Sequence, residues 1–180
     1  MTLEGLSLQR VGKWTLYALL ALVILAAQLL PLQTLPRVWA GPDLLVALTF
    51  AWAVRRPDYV PVILVGAIML LADLLLQRPP GLMAGLVVLA THRLASSAMT
   101  FRTAGFMAEW ATACLAIAAI AVANRLILAM MLVEQAPLAL TVSRAACTML
   151  VYPLVVAASH GLLRVRKVNP AQYTGFGERL

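Results

Sequence analysis

Long apolar runs separated by short polar clusters organise this chain. The first run extends from Trp14 to Leu30, with only Thr15 and Gln28 polar. Arg10 and Lys13 flank it as in a signal peptide, but no small-residue cleavage site follows cleanly, so it reads as a retained helix. The second run, Leu44 to Val54, is short. Extended back through Val38 to Asp43 it spans about 25 Å, which puts Pro42 in the first turn, where proline is tolerated; a re-entrant segment is the alternative. The third run is Val60 to Leu76, interrupted by Asp73, and the fourth is Pro80 to Leu94. The fifth, Thr103 to Val133, carries Glu109, Asn124 and Arg125. At about 46 Å if straight, it must tilt, bend near Asn124 or project from the bilayer. The sixth, Pro137 to Leu163, contains Arg144 and Pro153.

Composition turns these runs into membrane spans. Of 180 residues, 63% are hydrophobic and 12% charged, against about 45–50% and about 25% in soluble domains. A spanning helix takes roughly 20 residues, so six spans use nearly the whole chain. A disordered chain and a disulfide scaffold are excluded, since the two cysteines, Cys114 and Cys147, lie inside apolar runs. The formal charge of +7 does not point to nucleic acid, because the basic residues occupy short loops and no basic stripe is interleaved with aromatics.

Those loops encode orientation. With six spans, one side holds Arg10, Lys13, Arg55, Arg56, Arg93, Arg102, Arg164, Arg166, Lys167 and Arg179, and the other only Arg37 and Arg78. The positive-inside rule then puts both termini in the cytoplasm. Trp14, Trp52 and Tyr59 are expected near the inner interface and Trp39 near the outer one. Residues 1–167 form a single transmembrane domain, and residues 168–180 a cytoplasmic tail. The basic stretch Arg164-Val165-Arg166-Lys167 is suited to anionic lipid.

Charge inside the membrane costs about 2.5–3.5 kcal/mol per residue at the bilayer centre, so the ionisable groups in the spans need partners or water. Counting from the outer helix ends puts Asp73 about 6–7 Å deep, Arg125 roughly 10–12 Å and Arg144 roughly 10 Å. Asp73, Arg125 and Arg144 are therefore expected to form an intramembrane ionic cluster, with Asp73 pairing with Arg144 or Arg125. It serves either as a buried pair that fixes helix packing or as a polar cavity or partner-docking point, with independent snorkelling to the outer headgroups as the remaining alternative. A second carboxylate is wanted, and Asp43, Glu134 or a partner could supply it. Glu109 is expected to bond Arg102 or His92 at the inner interface. Small residues at four-residue steps mark helix-packing faces: Gly81 and Gly85, then Ala104, Ala108, Thr112 and Ala116, with Ala157 and Gly161 continuing the pattern.

No base stands at matching depth to Ser143 or Cys147, and HExxH, Walker A and GxSxG motifs are absent. The histidines and cysteines have no metal-ligand spacing. The expectation is a protein without catalytic residues, metal or cofactor. A membrane scaffold fits best, and a substrate-capture subunit of a small-molecule, vitamin-type transporter is the alternative.

One further pattern is specific. Gly41-Pro42-Asp43-Leu44, then Trp52, Arg56-Pro57, a glycine-containing span ending in Leu71-Ala72-Asp73-Leu74-Leu75, and Pro80-Gly81 follow one another in that order. Tyr152-Pro153 and the basic ending come later. This order resembles the rod shape-determining protein MreD family, over roughly residues 14–167. The chain departs from it at Gly66, seven residues before Asp73, and at Gln77-Arg78-Pro79, where many relatives carry a more polar turn. The family-like positions are Pro42, Trp52, Pro57, Asp73, Gly81 and Pro153. The resemblance implies a fold similar to the six-helix substrate-capture subunits of energy-coupling factor transporters and a place in the bacterial inner membrane. Its implied partners are an MreC-like single-span protein and, less directly, the MreB filament and the glycosyltransferase–transpeptidase pair of the elongation complex. The implied role is non-enzymatic support of peptidoglycan synthesis and cell shape.

Overall fold

The computed structural model describes residues 3–30, 40–97 and 105–161, with side chains from residue 10 onward. Six α-helices account for nearly all of them: α1 Leu3–Leu29, α2 Leu44–Arg55, α3 Val62–Leu75, α4 Leu82–Ser97, α5 Phe106–Met130 and α6 Leu138–Gly161. A single 3-10 turn, Pro57–Tyr59, links α2 to α3. No strand occurs among the described residues. Three helices are long and apolar enough to cross a membrane, α1 (from Arg10), α5 and α6. The other three are apolar but shorter.

The second helix departs most from its sequence reading. It starts at Leu44 and not at Val38, because Asp43 caps it: the Asp43 carboxylate accepts the Val46 amide at 3.4 Å. Pro42 therefore stands before the cap and outside the first turn. Twelve residues give about 18 Å of helix, well short of the roughly 30 Å hydrocarbon layer. Nor does α2 face lipid. Every residue from Leu45 to Val54 is buried, and the helix packs against α1, α4, α5 and α6. A helix hydrophobic all round belongs in an interior, and α2 is the axis of this one. Around it, α1 packs on α3, α3 on α4, α4 on α5 and α5 on α6.

Direction follows from paired contacts. The Asp43 amide donates to Thr148 Oγ1 at 2.9 Å, and Trp52 Nε1 donates to Ser159 Oγ at 3.1 Å. Helices α2 and α6 thus run in parallel. Arg55, at the C-terminal end of α2, meets Glu109 in the first turn of α5, so α5 runs the opposite way. Asp43 sits at the positive end of the α2 dipole and Arg55 at its negative end, each with the favourable sign.

The fifth helix ends at Met130, and Leu132 takes a left-handed conformation with φ 55°. It has 25 residues, so the projection expected for a run reaching Val133 shrinks by a turn. Trp52 lies inside the bundle. It is fully buried, with its ring 5.7 Å from that of Tyr17 and 6.5 Å from that of Tyr59. Its indole N–H gains Ser159 in place of water, which is how a buried tryptophan is satisfied. Trp14, by contrast, is exposed and donates to the Asp58 carbonyl at 2.8 Å. Trp39, Arg102, Ala104 and the basic ending with the tail lie outside the described residues.

Candidate functional site

The polar side chains gather at the two ends of α2. At the Arg55 end, the Arg55 guanidinium Nε lies 2.9 Å from Glu109 Oε1, with the carboxylate fully buried. Tyr152 of α6, itself buried, faces the same carboxylate. Burying a charge is tolerable only with such a partner. Glu109 thus pairs with Arg55, a partner the sequence did not suggest; His92 is exposed, and Arg102 is not among the described residues. Two turns toward the middle, Tyr17 and Thr49 share a hydrogen bond of 2.8 Å, and Thr49 also donates to the Leu45 carbonyl. On the loop, the Arg56 guanidinium lies 5.5 Å from the Tyr59 ring, beside Pro57, which opens the 3-10 turn.

At the Asp43 end, α2, the α3–α4 connection, the end of α5 and the start of α6 enclose a cavity of about 310 Å³. Arg78, Arg125 and Arg144 line it together with one carboxylate, that of Asp43. Arg78 Nη1 is 3.8 Å from Asp43 Oδ2. Arg125 Nη1 donates to the Ala136 carbonyl at 3.1 Å and to Thr141 Oγ1 at 3.2 Å. Gln135 returns a bond to the Arg125 carbonyl, so the α5–α6 connection is stitched to the arginine.

The expected pairing of Asp73 with Arg144 or Arg125 is not what the structure contains. Asp73 Oδ2 accepts the backbone amides of Gly81 and Ala84, both at 3.1 Å. It caps α4 from the preceding helix. The first amides of any helix lack partners within it, and a negative group there is favoured by the helix dipole. Equal depth, counted along three helices, said nothing about direction around them. Arg125 and Arg144 do share a site, and Asp43, one of the candidates for the second carboxylate, lines it with them and pairs with Arg78.

The packing faces also need correction. Gly81 is a turn residue with φ 84°, and a side chain added at Gly81 or Gly85 would meet nothing within 4 Å. The two glycines therefore bring no helix close within the chain. Gly66 is the glycine set toward a neighbour: a Cβ added there would lie 3.6 Å from Val88 Cγ2, in ordinary contact. On α5 the buried stripe is Glu109, Ala113, Ile117 and Ile120. Ala108, Thr112 and Ala116 are half-buried beside it, and Thr112 bonds back to the Ala108 carbonyl at 2.8 Å. Ala157 and Gly161 are exposed.

Pro153 has a use the sequence signalled only indirectly. A proline inside a helix leaves the carbonyl four residues earlier without its donor. Here that carbonyl belongs to Met149, and Trp110 of α5 donates its indole N–H to it at 3.0 Å. Among the described residues, no group of three or more His, Cys, Asp or Glu side chains could hold a metal ion. Comparison with protein-family models, curated proteins and solved structures returns no match to this chain.

Proposed function

We propose that this chain is a non-enzymatic, multi-pass scaffold of the bacterial inner membrane that docks an MreC-like single-span partner within the cell-elongation complex. Through that partner it supports peptidoglycan synthesis and cell shape. One observation carries the reading. The positions behind the family resemblance serve as joints between elements: Trp52 joins α2 to α6, Asp73 and Gly81 join α3 to α4, and Pro153 frees the carbonyl by which α6 holds α5. A resemblance made of joints implies a shared frame. That frame leaves apolar side chains on its outside, such as Leu115 and Val122 on α5 and Leu150 and Leu154 on α6, for lipid or a partner helix.

The test is a pull-down of the tagged chain from detergent with identification of co-purifying single-span proteins. It is paired with Asp73→Leu in cells. The reading requires a single-span partner and loss of rod shape in the variant. A variant that assembles normally and supports rods overturns the assigned role of this joint, and a bare pull-down overturns the docking role.

A second reading has its own support in the cavity of about 310 Å³, which is of ligand size. A vitamin-type capture subunit would melt at a higher temperature with its vitamin bound, and a thermal-shift screen of vitamins tests it.

A further inference from the structure

The cavity at the Asp43 end combines features that the scaffold reading does not use. Three guanidinium groups, those of Arg78, Arg125 and Arg144, line it with a single carboxylate among the described residues, and Arg78 and Arg125 alone outnumber that carboxylate. The arginines come from three different segments of the chain, the α3–α4 connection, α5 and α6. Excess charge of one sign inside an apolar bundle is costly, and here the fold gathers it around one space. The Arg78–Asp43 separation of 3.8 Å is well beyond the roughly 2.7–2.9 Å of a charge-assisted hydrogen bond. Asp43 is also committed to capping α2. Arg125 uses one nitrogen on Ala136 and Thr141, and a guanidinium has five N–H donors.

Most of the remaining wall is apolar, including Val46, Met83, Ile117 and Ile120, with Asn124, Gln135, Thr141 and Thr148 as its uncharged polar members. The volume, about 310 Å³, holds a small head and a few methylenes. It does not admit a helix, which is about 10 Å across, and this rules against an acidic partner helix as occupant. The site lies where α5 ends and α6 begins.

We infer that this cavity binds a phosphate group, with Arg78 and Arg125 on its oxygens, Arg144 beside them in the wall, and any attached hydrocarbon along the apolar wall. Guanidinium forks match phosphate oxygens two at a time. The phosphate comes either from a phosphate-headed lipid or from a free phosphate ion. The inference stands whether or not the chain docks a partner.

The experiment uses the full chain in neutral detergent, with three probes: dioleoyl phosphatidic acid, dioleoyl phosphatidylcholine and inorganic phosphate. Melting temperature and native mass spectrometry are the readouts. Phosphatidic acid is expected to bind and raise the melting temperature, and phosphatidylcholine is not. A matching shift with inorganic phosphate identifies the free ion as sufficient, and a shift with the lipid alone identifies the bilayer as the source. Arg78→Gln and Arg125→Lys should each weaken binding about tenfold. Ala121→Phe, which fills the cavity without changing its charge, should abolish binding while circular dichroism stays unchanged. Equal response to phosphatidylcholine, absence of response to all three probes, or wild-type binding by all three variants overturns the inference.

Discussion

Trp110 donates its indole N–H to the Met149 carbonyl at 3.0 Å, and that carbonyl is available because Pro153, four residues on, has no N–H to offer it. A helix defect in α6 has thus become a joint to α5. In a bilayer such a carbonyl has no water to turn to. Trp110→Phe should lower stability by about 1–3 kcal/mol. In a Pro153→Ala background the alanine N–H reclaims the carbonyl, so the same tryptophan substitution should cost measurably less. A double-mutant cycle on unfolding in detergent reads the coupling. Additive costs would show that the proline and the indole act independently.

Arg55 and Glu109 form the buried ion pair at the other end of α2. Removing one partner strands the other charge, at a cost of about 3–5 kcal/mol. Glu109→Ala should therefore be severely destabilising. Replacing both by leucine should cost less than either single change. Melting temperatures of the two single variants and the double variant decide this.

Asp73 separates charge from shape. Asp73→Asn keeps an oxygen for the Gly81 and Ala84 amides but loses the charge at the α4 N-terminus, worth about 0.3–1 kcal/mol. Asp73→Leu leaves two amides without an acceptor, at about 1–3 kcal/mol each. Hydrogen exchange at the start of α4 should rise strongly in the leucine variant and little in the asparagine one.

Gly81 and Gly85 should respond in opposite ways. Gly81→Ala forces a side chain into a left-handed conformation and should cost about 1–2 kcal/mol. Gly85 is helical with open space around it, so Gly85→Ala should stabilise the isolated chain by about 0.5–1 kcal/mol. If Gly85→Leu leaves the isolated chain folded but breaks a complex, the open glycine lies at a partner interface.

Much of the frame is legible in the sequence because apolar runs reveal spans directly. The six runs around Trp14, Leu44, Val60, Pro80, Thr103 and Pro137 all became helices. Run length misleads at α2, where Leu44–Arg55 looks like a span in need of extension. A helix sheathed by other helices has no bilayer thickness to match. The site is legible in part. Residue type singles out Arg125, Arg144 and Asp73 as costly in lipid, and depth brings the two arginines to one level. Direction around a helix depends on which neighbours it packs against, so Asp73 went to the α4 amides and Asp43 to the arginines. In sequence Arg55 and Glu109 look like separate interfacial charges, because their pairing requires α2 and α5 to be antiparallel neighbours. The Met149 carbonyl could have been found from Pro153 alone, by counting back four residues.

The central position of α2 has a consequence for how the protein is made. Its anchors on the last helix, Thr148 and Ser159, stand 105 and 107 positions further along the chain. The hub therefore precedes these two partners by most of the chain, and its contacts with α1, α4 and α5 can form before those with α6. A polypeptide truncated before Leu138 keeps the α1, α4 and α5 faces of this hub covered but leaves bare the side that Thr148 and Ser159 close.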